Sequence, residues 1–192
     1  GIVGYEPTEL VVTARCGTPL SEVVSLLEEN GQCLPFEPPH FGDGATIGGC
    51  VAAGLSGPRR ASAGALRDFV LGARIVDGRG RALAFGGQVM KNVAGYDVSR
   101  ILAGSLGTLG LIAEASVKVL PRPGAEATRE LEATLEKALE LLGRWAAQPL
   151  PVSATAWHAG RLFVRLSGSA AALRSAAPRI GGIEKPASSL WE

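Results

Sequence analysis

The hydrophobic and polar positions in the first quarter of the chain predict alternating strands and helices. An apolar run at 10–14 is typical of a buried strand. Thr18 and Pro19 then predict a helix start, with the threonine as a hydroxyl cap and the proline in the first helical position. Apolar residues recur every three or four positions until Asn30-Gly31, where the helix should end. A short strand at 33–35 and a helix of small residues at 48–55 complete this part.

The middle of the chain predicts a hairpin, a short helix and a long strand. Two β-rich runs, 69–76 and 81–85, flank an Asp-Gly-Arg-Gly turn at 77–80. An Asp-Gly pair between such runs is a strong hairpin signal. A helix is expected from about 97 to 103, followed by a strand at 109–119.

A boundary is expected at 121–124, because two prolines and a glycine in four residues interrupt helices and strands alike. A long amphipathic helix at 131–147 follows. Its apolar stripe consists of Leu131, Leu135, Leu139, Leu142 and Trp145 or Ala146. Strands are expected at 128–131, 152–157 and 161–166, and a last helix at 170–176. The order of elements predicts an α+β fold in two domains, 1–123 and 124–192.

Two glycine-rich segments, 42–49 and 104–114, are the strongest candidates for a binding site. Glycine has no Cβ, so clustered glycines let main-chain N–H groups approach an anion or a flat ring closely. We therefore expect them to bind an anion or a flat ring. The alternative is that these segments are only tight turns, since glycine clusters mark turns generally.

Further motifs lie around and between the glycine segments, at 37–41, 51–60, 64–72 and 89–97. In this order they resemble the FAD-binding domain of the vanillyl-alcohol oxidase and p-cresol methylhydroxylase superfamily. The motifs are most similar to its branch of bacterial glycolate oxidase E subunits. The resemblance implies an FAD-binding domain of the p-cresol methylhydroxylase type, incomplete at its N-terminus, followed by part of an α+β cap domain. It also implies that a pyrophosphate-binding loop precedes Gly1, so FAD binding by this chain alone is expected to be weak.

Carried over residue by residue, the resemblance implies a cofactor site. Around the ribityl chain and the isoalloxazine ring would lie Pro38, Gly42, Thr46, Ile47, Gly48, Gly49, Ala53, Ser56 and Gly57, with the N–H groups of Thr46, Gly48 and Gly49 aimed at flavin or phosphate oxygens. Gly64, Asp68 and Val70 would flank the pyrophosphate and adenosine, and the main chain of Gly110 and Ile112 would bind adenine. Asp68 has the alternative role of a turn cap. Lys91 and Tyr96 match the family motif but fit structural roles equally well.

Composition excludes several other classes of protein. A net charge of +1 gives no field that would attract nucleic acid, and no apolar segment predicts direct membrane insertion. The chain has neither a Walker motif nor a GxGxxG that opens a helix after a strand. Cys16, Cys33 and Cys50 fit no disulfide or metal pattern and are expected to be buried thiols. His40 and His158 have no ligand neighbours, so no metal site is predicted. We expect a cytoplasmic protein.

The function implied by the resemblance is that of an FAD-binding-type subunit supporting flavin-dependent oxidation of glycolate to glyoxylate. Its partners would be a larger FAD-bearing dehydrogenase subunit and an iron–sulfur subunit, which would place the complex at the inner face of the membrane. No catalytic base is found, so activity is expected only with those partners. The alternative is a non-catalytic assembly or scaffold subunit of the same fold that no longer binds FAD.

Overall fold

The apolar runs near residues 12, 72 and 115 become neighbouring strands of one antiparallel sheet. The computed structural model describes residues 1–87, 97–186 and 190–191. Its contacts divide the chain into unit 1, Gly1–Arg60 with Gly64–Arg122, and unit 2, Ala61–Ala63 with Pro123–Glu192. Both units combine sheets with helices, so the fold is α+β. The interpretation of the second unit as part of a cap domain stays a prediction.

The helices and strands take up most of the described residues. In chain order they are β1 (Ile2–Glu6), β2 (Val11–Arg15), α1 (Leu20–Glu29), β3 (Gln32–Cys33), α2 (Ile47–Ala53), α3 (Arg60–Ala63), β4 (Val70–Val76), β5 (Ala82–Gly86), α4 (Val98–Ile101), β6 (Leu111–Lys118) and β7 (Leu120–Pro121). There follow β8 (Ala125–Glu132), α5 (Leu135–Ala146), β9 (Val152–His158), β10 (Arg161–Gly168), α6 (Ala170–Ile180) and β11 (Ile183–Lys185).

The main sheet of unit 1 has the order β1-β2-β6-β4-β5, and all of its neighbouring strands are antiparallel. The helix α2 packs against β6 and β2, so the glycine-rich segment before it lies close to the centre of the sheet. Buried side chains of the sheet and of the helices, including Val12, Val23, Val51 and Val117, form the core. The predicted hairpin is confirmed, since β4 and β5 pair around residues 77–81.

The predicted cap of the first helix is wrong. The helix begins at Leu20, Pro19 occupies the N-cap position, and no side chain caps it. Thr18 is fully buried, and its Oγ1 donates to the carbonyl of Arg15 at 2.6 Å. The hydroxyl therefore closes the turn that follows β2. The predicted helix end is confirmed, with Asn30 as C-cap and Gly31 at a φ of 65°.

Unit 2 contains a four-stranded sheet of order β11-β8-β10-β9, and α6 packs against β8 and β10. The buried residues Leu162, Val164 and Leu166 of β10 lie in one core with residues of α5 and α6. The neighbouring position Arg165 is also buried: its Nε donates to Ser153 Oγ at 3.1 Å, and its guanidinium carbon lies 5.3 Å from the ring centroid of Trp191.

The amphipathic helix of unit 2 begins later than predicted, and its first half buries a different residue. Leu131 belongs to β8, where it pairs with Leu162, and the helix begins at Leu135 with Thr134 as its cap. Its buried positions are Ala138, Leu141 and Trp145. Leu135 and Leu139 are 46% and 61% exposed, against the prediction. The predicted stripe is confirmed at Trp145, which is buried, and at Leu142, which packs partly buried against the core. It is wrong at Leu135 and Leu139, because the buried residue of that part of the helix is the smaller Ala138.

The described helices include none with both the length and the apolar character that a bilayer crossing requires.

Candidate functional site

The helix α2 starts with a side-chain cap that also fixes the preceding loop. Thr46 adopts an extended conformation, and its Oγ1 accepts a hydrogen bond from the Gly49 N–H at 3.0 Å. Such a cap satisfies one of the free N–H groups at a helix start. The Leu20 N–H donates to the carbonyl of Ala45 at 2.8 Å, which ties the loop to the start of α1.

Gly48 lies directly against the end of β2. Its N–H donates to the carbonyl of Cys16 at 2.9 Å, and a Cβ added to Gly48 would lie 2.3 Å from the Cβ of Cys16. The predicted role of these N–H groups is therefore wrong for Gly48 and Gly49, because both donate within the chain. The glycine at position 48 instead permits close packing of α2 on the sheet.

A pocket of about 310 Å³ opens beside α2. A volume of this size is at the lower end of the range for small-molecule sites. Its walls come from α1, from the loop before α2, and from α2 and the residues after it. They include Leu20, Phe41, Thr46, Gly49, Cys50 and Leu55. No described residue that lines the pocket carries a charged side chain.

Two cysteines near the start of α2, Cys16 and Cys50, are uncharged at neutral pH. Burial raises the pKa of Cys50 to about 12. Burial also raises the pKa of Cys16 to about 11, with a smaller contribution from the nearby charge of Glu114. Both groups are therefore protonated thiols at neutral pH and poor nucleophiles. The expectation of buried thiols is confirmed for these two, whereas Cys33 is only half-buried.

The predicted residue Pro38 is buried and follows a strained position. Glu37 has a φ of 44°, and its carboxylate accepts the Arg59 N–H at 2.9 Å and lies 3.3 Å from the Arg59 Nε. The Gly57 N–H donates to the carbonyl of Phe36 at 2.8 Å, and a Cβ added to Gly57 would lie 2.1 Å from the carbonyl oxygen of Glu37. Gly57 and Arg59 thus hold the segment that leads into the pocket wall.

The predicted pyrophosphate residues form a local turn before β4. The Ser56 hydroxyl accepts the Leu66 N–H at 2.9 Å, and Asp68 Oδ2 accepts the Ala65 N–H at 2.9 Å. Gly64 has a φ of 111° and lies beside the same carboxylate. Asp68 therefore caps a turn in this structure, as the alternative reading expected. Val70 is buried at the start of β4.

The second glycine-rich segment packs on the end of α2. The N–H groups of Gly104 and Leu106 donate to the carbonyls of Val51 and Ala52, at 3.0 and 2.8 Å. A Cβ added to Gly54 would lie 3.1 Å from Gly104. The two glycine-rich segments that the sequence singled out are thereby brought together at one helix.

Gly110 and Ile112 lie at the entry to β6. Gly110 has a φ of 148°, and a Cβ there would lie 2.8 Å from the carbonyl oxygen of Val76. The pairing of β6 with β2 ends at Glu114, followed by a hydrogen bond from the Cys16 N–H to the Ala113 carbonyl at 2.9 Å. In the described pairing, Ile112 has a partner on β4 and lies past the end of β2.

Sequence reasoning did not assign Leu20, Cys50 and Leu55 to the site, although all three line the pocket. Their sequence signal is only that of core residues, so the pocket is apparent only in three dimensions. Ala53 is exposed at the last position of α2, and Ile47 is buried at its first position. Lys91 and Tyr96 lie outside the described residues, as does most of the motif at 89–97. His40 and His158 are exposed, and the described residues contain no cluster of metal-ligating side chains.

Comparison with known proteins identifies the family. Residues 1–86 match the family described as FAD binding domain. The chain is 51% identical over its full length to the glycolate oxidase subunit GlcE of Escherichia coli (strain K12) and covers 55% of that protein. It is 34% identical over 127 residues to the glycolate oxidase subunit GlcD of Bacillus subtilis (strain 168), which is 66% of this chain and 27% of that protein.

The fold is shared with a solved structure. An alkyldihydroxyacetonephosphate synthase superposes with a TM-score of 0.74 at 20% identity, over 94% of this chain and 39% of that one. At this identity the likeness concerns the fold. The cofactor of the matched domain family is FAD. Residues 1–86 belong to the FAD-binding domain family, and the chain is a relative of the glycolate oxidase subunit GlcE.

Proposed function

We propose that this chain is the FAD-binding part of a subunit of a glycolate-oxidising complex. The observation that carries the proposal is the uncharged pocket of about 310 Å³ beside α2, because all of its lining residues fall within the segment matched by the FAD-binding family. The 51% identity to a glycolate oxidase subunit supports glycolate, a small 2-hydroxy acid, as substrate of the complex.

The residues present fit a flavin in two ways. The pocket wall contains small residues, Gly44 and Gly49 among them, and a Cβ added to Gly44 would meet nothing within 4 Å. This leaves room for a flat ring to lie against the main chain. The lining is uncharged and largely apolar, as expected for an aromatic ring system.

The cofactor residues inferred from sequence divide into two groups in this proposal. Contact with FAD is assigned to Pro38, Gly42, Thr46, Gly49, Ala53, Asp68, Gly110 and Ile112. A supporting role is assigned to Ile47, Gly48, Ser56, Gly57, Gly64 and Val70, since Gly48 and Gly57 make close contacts within the chain and the hydroxyl of Ser56 holds a turn. The main chain of Ile112, past the end of β2, is the proposed contact for adenine.

FAD, when bound, supplies the ring that accepts a hydride from the α-carbon of a 2-hydroxy acid. This chain's own contribution is to hold the ring against the protein and to exclude water from the face that meets the pocket. We assign no base to the chain, because His40 is exposed in a loop and His158 is exposed at the last position of β9.

Partner subunits complete the proposed complex. Two relatives carry printed names of glycolate oxidase subunits, which supports assembly with a second flavin-bearing subunit. We extend the proposal to an iron–sulfur subunit that passes electrons onward. Cytoplasmic location is supported by Cys16, Cys33 and Cys50, which form no disulfide in the described part of the chain. Attachment to the inner face of the membrane would come through the partners.

The proposal is tested by the flavin content of the protein, purified alone and co-expressed with its partner subunits. Denaturation releases a non-covalent flavin, and chromatography separates FAD from FMN. We expect FAD in proportion to this subunit once the flavin of the partner is subtracted. An assembled, active complex in which this subunit contains no flavin would overturn the proposal and favour a scaffold subunit.

A further inference from the structure

The pocket beside α2 has an aromatic side chain at its open side. Phe41 lines the pocket, yet 80% of its surface is exposed, more than for any other large hydrophobic residue recorded in the described chain. An isolated exposed phenylalanine needs no explanation. A phenylalanine at the edge of an uncharged cavity is different, because a ligand in the cavity would bury both the cavity wall and the exposed ring.

The loop that carries Phe41 is fixed at both ends and open between them. On one side, Glu37 is held by Arg59 and Gly57, and the two prolines that follow restrict the backbone. On the other side, the carbonyl of Ala45 accepts the Leu20 N–H at 2.8 Å. Between these points Gly42 has a φ of 111°, and a Cβ added to it would meet nothing within 4 Å.

The chemistry of the lining selects one part of the cofactor. Leu20, Leu55 and the protonated thiol of Cys50 offer apolar contacts and no positive charge. The loop next to the pocket also carries the carboxylate of Asp43. A pyrophosphate would need positive groups or free N–H donors, whereas the Gly49 N–H is already bonded to Thr46. A flat, uncharged ring is the better occupant.

We propose that Phe41 stacks on the isoalloxazine ring of FAD and covers it from the solvent side of the pocket. This inference rests on the proposed function, since it names a contact of the same cofactor. Offset stacking of two aromatic systems stabilises beyond the burial of their area. Because Gly42 follows Phe41, the phenyl ring can move onto the ligand without a change in the fixed ends of the loop.

The test compares Phe41→Ala and Phe41→Trp in the complete subunit, reconstituted with FAD after removal of the flavin. We expect Phe41→Ala to raise the Kd for FAD by about 5- to 100-fold, the range for losing one stacked aromatic. Phe41→Trp should keep the affinity and quench the fluorescence of the bound flavin, because an indole in contact with the excited ring donates an electron to it. Val3→Trp is the matched control: it adds an indole at a half-exposed position of β1, which does not line the pocket.

Each outcome separates this inference from the proposed function. Wild-type binding of FAD with unchanged affinity in Phe41→Ala overturns the inference and leaves the proposed function intact. Unquenched flavin in Phe41→Trp, or equal quenching in Val3→Trp, also overturns it. No binding of FAD by the wild-type subunit, alone or in its complex, overturns both. Thermal unfolding at the same midpoint in all variants shows that the exposed position has not altered the fold.

Discussion

Gly48 and Cys16 are in such close contact that a Cβ added to Gly48 would lie 2.3 Å from the Cβ of Cys16 and 2.5 Å from its carbonyl oxygen. The same carbonyl accepts the Gly48 N–H at 2.9 Å. The Cys16 N–H in turn donates to the carbonyl of Ala113, near the start of β6. One contact thus connects the start of α2 to two strands of the main sheet, and the pocket lies beside that helix.

We expect Gly48→Ala to lower the free energy of unfolding by about 1–3 kcal/mol, the usual cost of overpacking a tight contact. Urea denaturation followed by circular dichroism measures it. Gly78→Ala is the control, because a Cβ at this exposed turn position meets nothing within 4 Å. Equal stability of the two variants would show that α2 can move away from β2 at little cost.

The cap at Thr46 gives a second expectation. Thr46→Ala removes the oxygen that accepts the Gly49 N–H and should cost about 1 kcal/mol of unfolding free energy. Thr46→Ser keeps the oxygen and should lose less than half of that. Urea denaturation of both variants measures these losses in unfolding free energy. A serine variant as unstable as the alanine variant would contradict the role of the hydroxyl.

The buried thiols predict a loss of stability at alkaline pH. The folded-state pKa values, about 11 for Cys16 and about 12 for Cys50, lie above the ordinary value of 9.0. The unfolded chain therefore loses these protons first, so stability is full below pH 9 and falls as the pH rises towards 11 to 12. At pH 10 each thiol should cost about 1 kcal/mol relative to pH 7.

A variant isolates this contribution from that of other groups. Cys50→Ala should have a difference in unfolding free energy between pH 7 and pH 10 that is smaller than wild type by about 1 kcal/mol. Each protein is compared with itself at pH 7, so the loss of stability caused by the smaller alanine side chain cancels. An unchanged difference would mean that the Cys50 thiol ionises as easily in the folded protein as in the unfolded chain.

The burial of Ala138 in place of Leu139 on α5 can be tested by substitutions at these two adjacent positions. Leu139→Lys should change the unfolding free energy by no more than about 0.5 kcal/mol, because Leu139 is 61% exposed. Ala138→Leu should destabilise by about 1–3 kcal/mol, since Ala138 is 1% exposed. Thermal or urea unfolding gives both values. A destabilising Leu139→Lys together with a neutral Ala138→Leu would restore the stripe predicted from sequence.

Local sequence signals predicted correctly those features of the fold that depend on residues close together in sequence. The hairpin of β4 and β5 follows from the turn at Asp77, whose carboxylate accepts the N–H groups of Arg79 and Arg81. The end of α1 follows from Asn30 and the left-handed Gly31. These features depend on the chain within a few residues, so periodicity and turn chemistry predict them.

Tertiary packing decided the features that sequence reasoning missed. Thr18 has the sequence of a helix cap, but burial directs its hydroxyl to Arg15. The sequence predicted a cofactor contact for Gly48, but it did not reveal that Gly48 packs against Cys16, the residue after β2. The pocket combines Leu20 with Leu55, which are 35 positions apart. Such sites emerge only when separate elements are brought together by the fold.

The central claim is that the pocket beside α2 holds the flavin ring of FAD, and the most direct test fills that pocket. Gly49→Val adds a branched side chain at an exposed helical position that lines it, where the nearest atom to the new Cβ is Thr46 Oγ1 at 3.2 Å. Gly143→Val is the control, at an exposed glycine of α5 with open space around it. In calorimetric titrations of the flavin-free complete subunit with FAD, Gly49→Val should weaken binding at least about tenfold and Gly143→Val should not. Wild-type affinity in the folded Gly49→Val variant would contradict the claim.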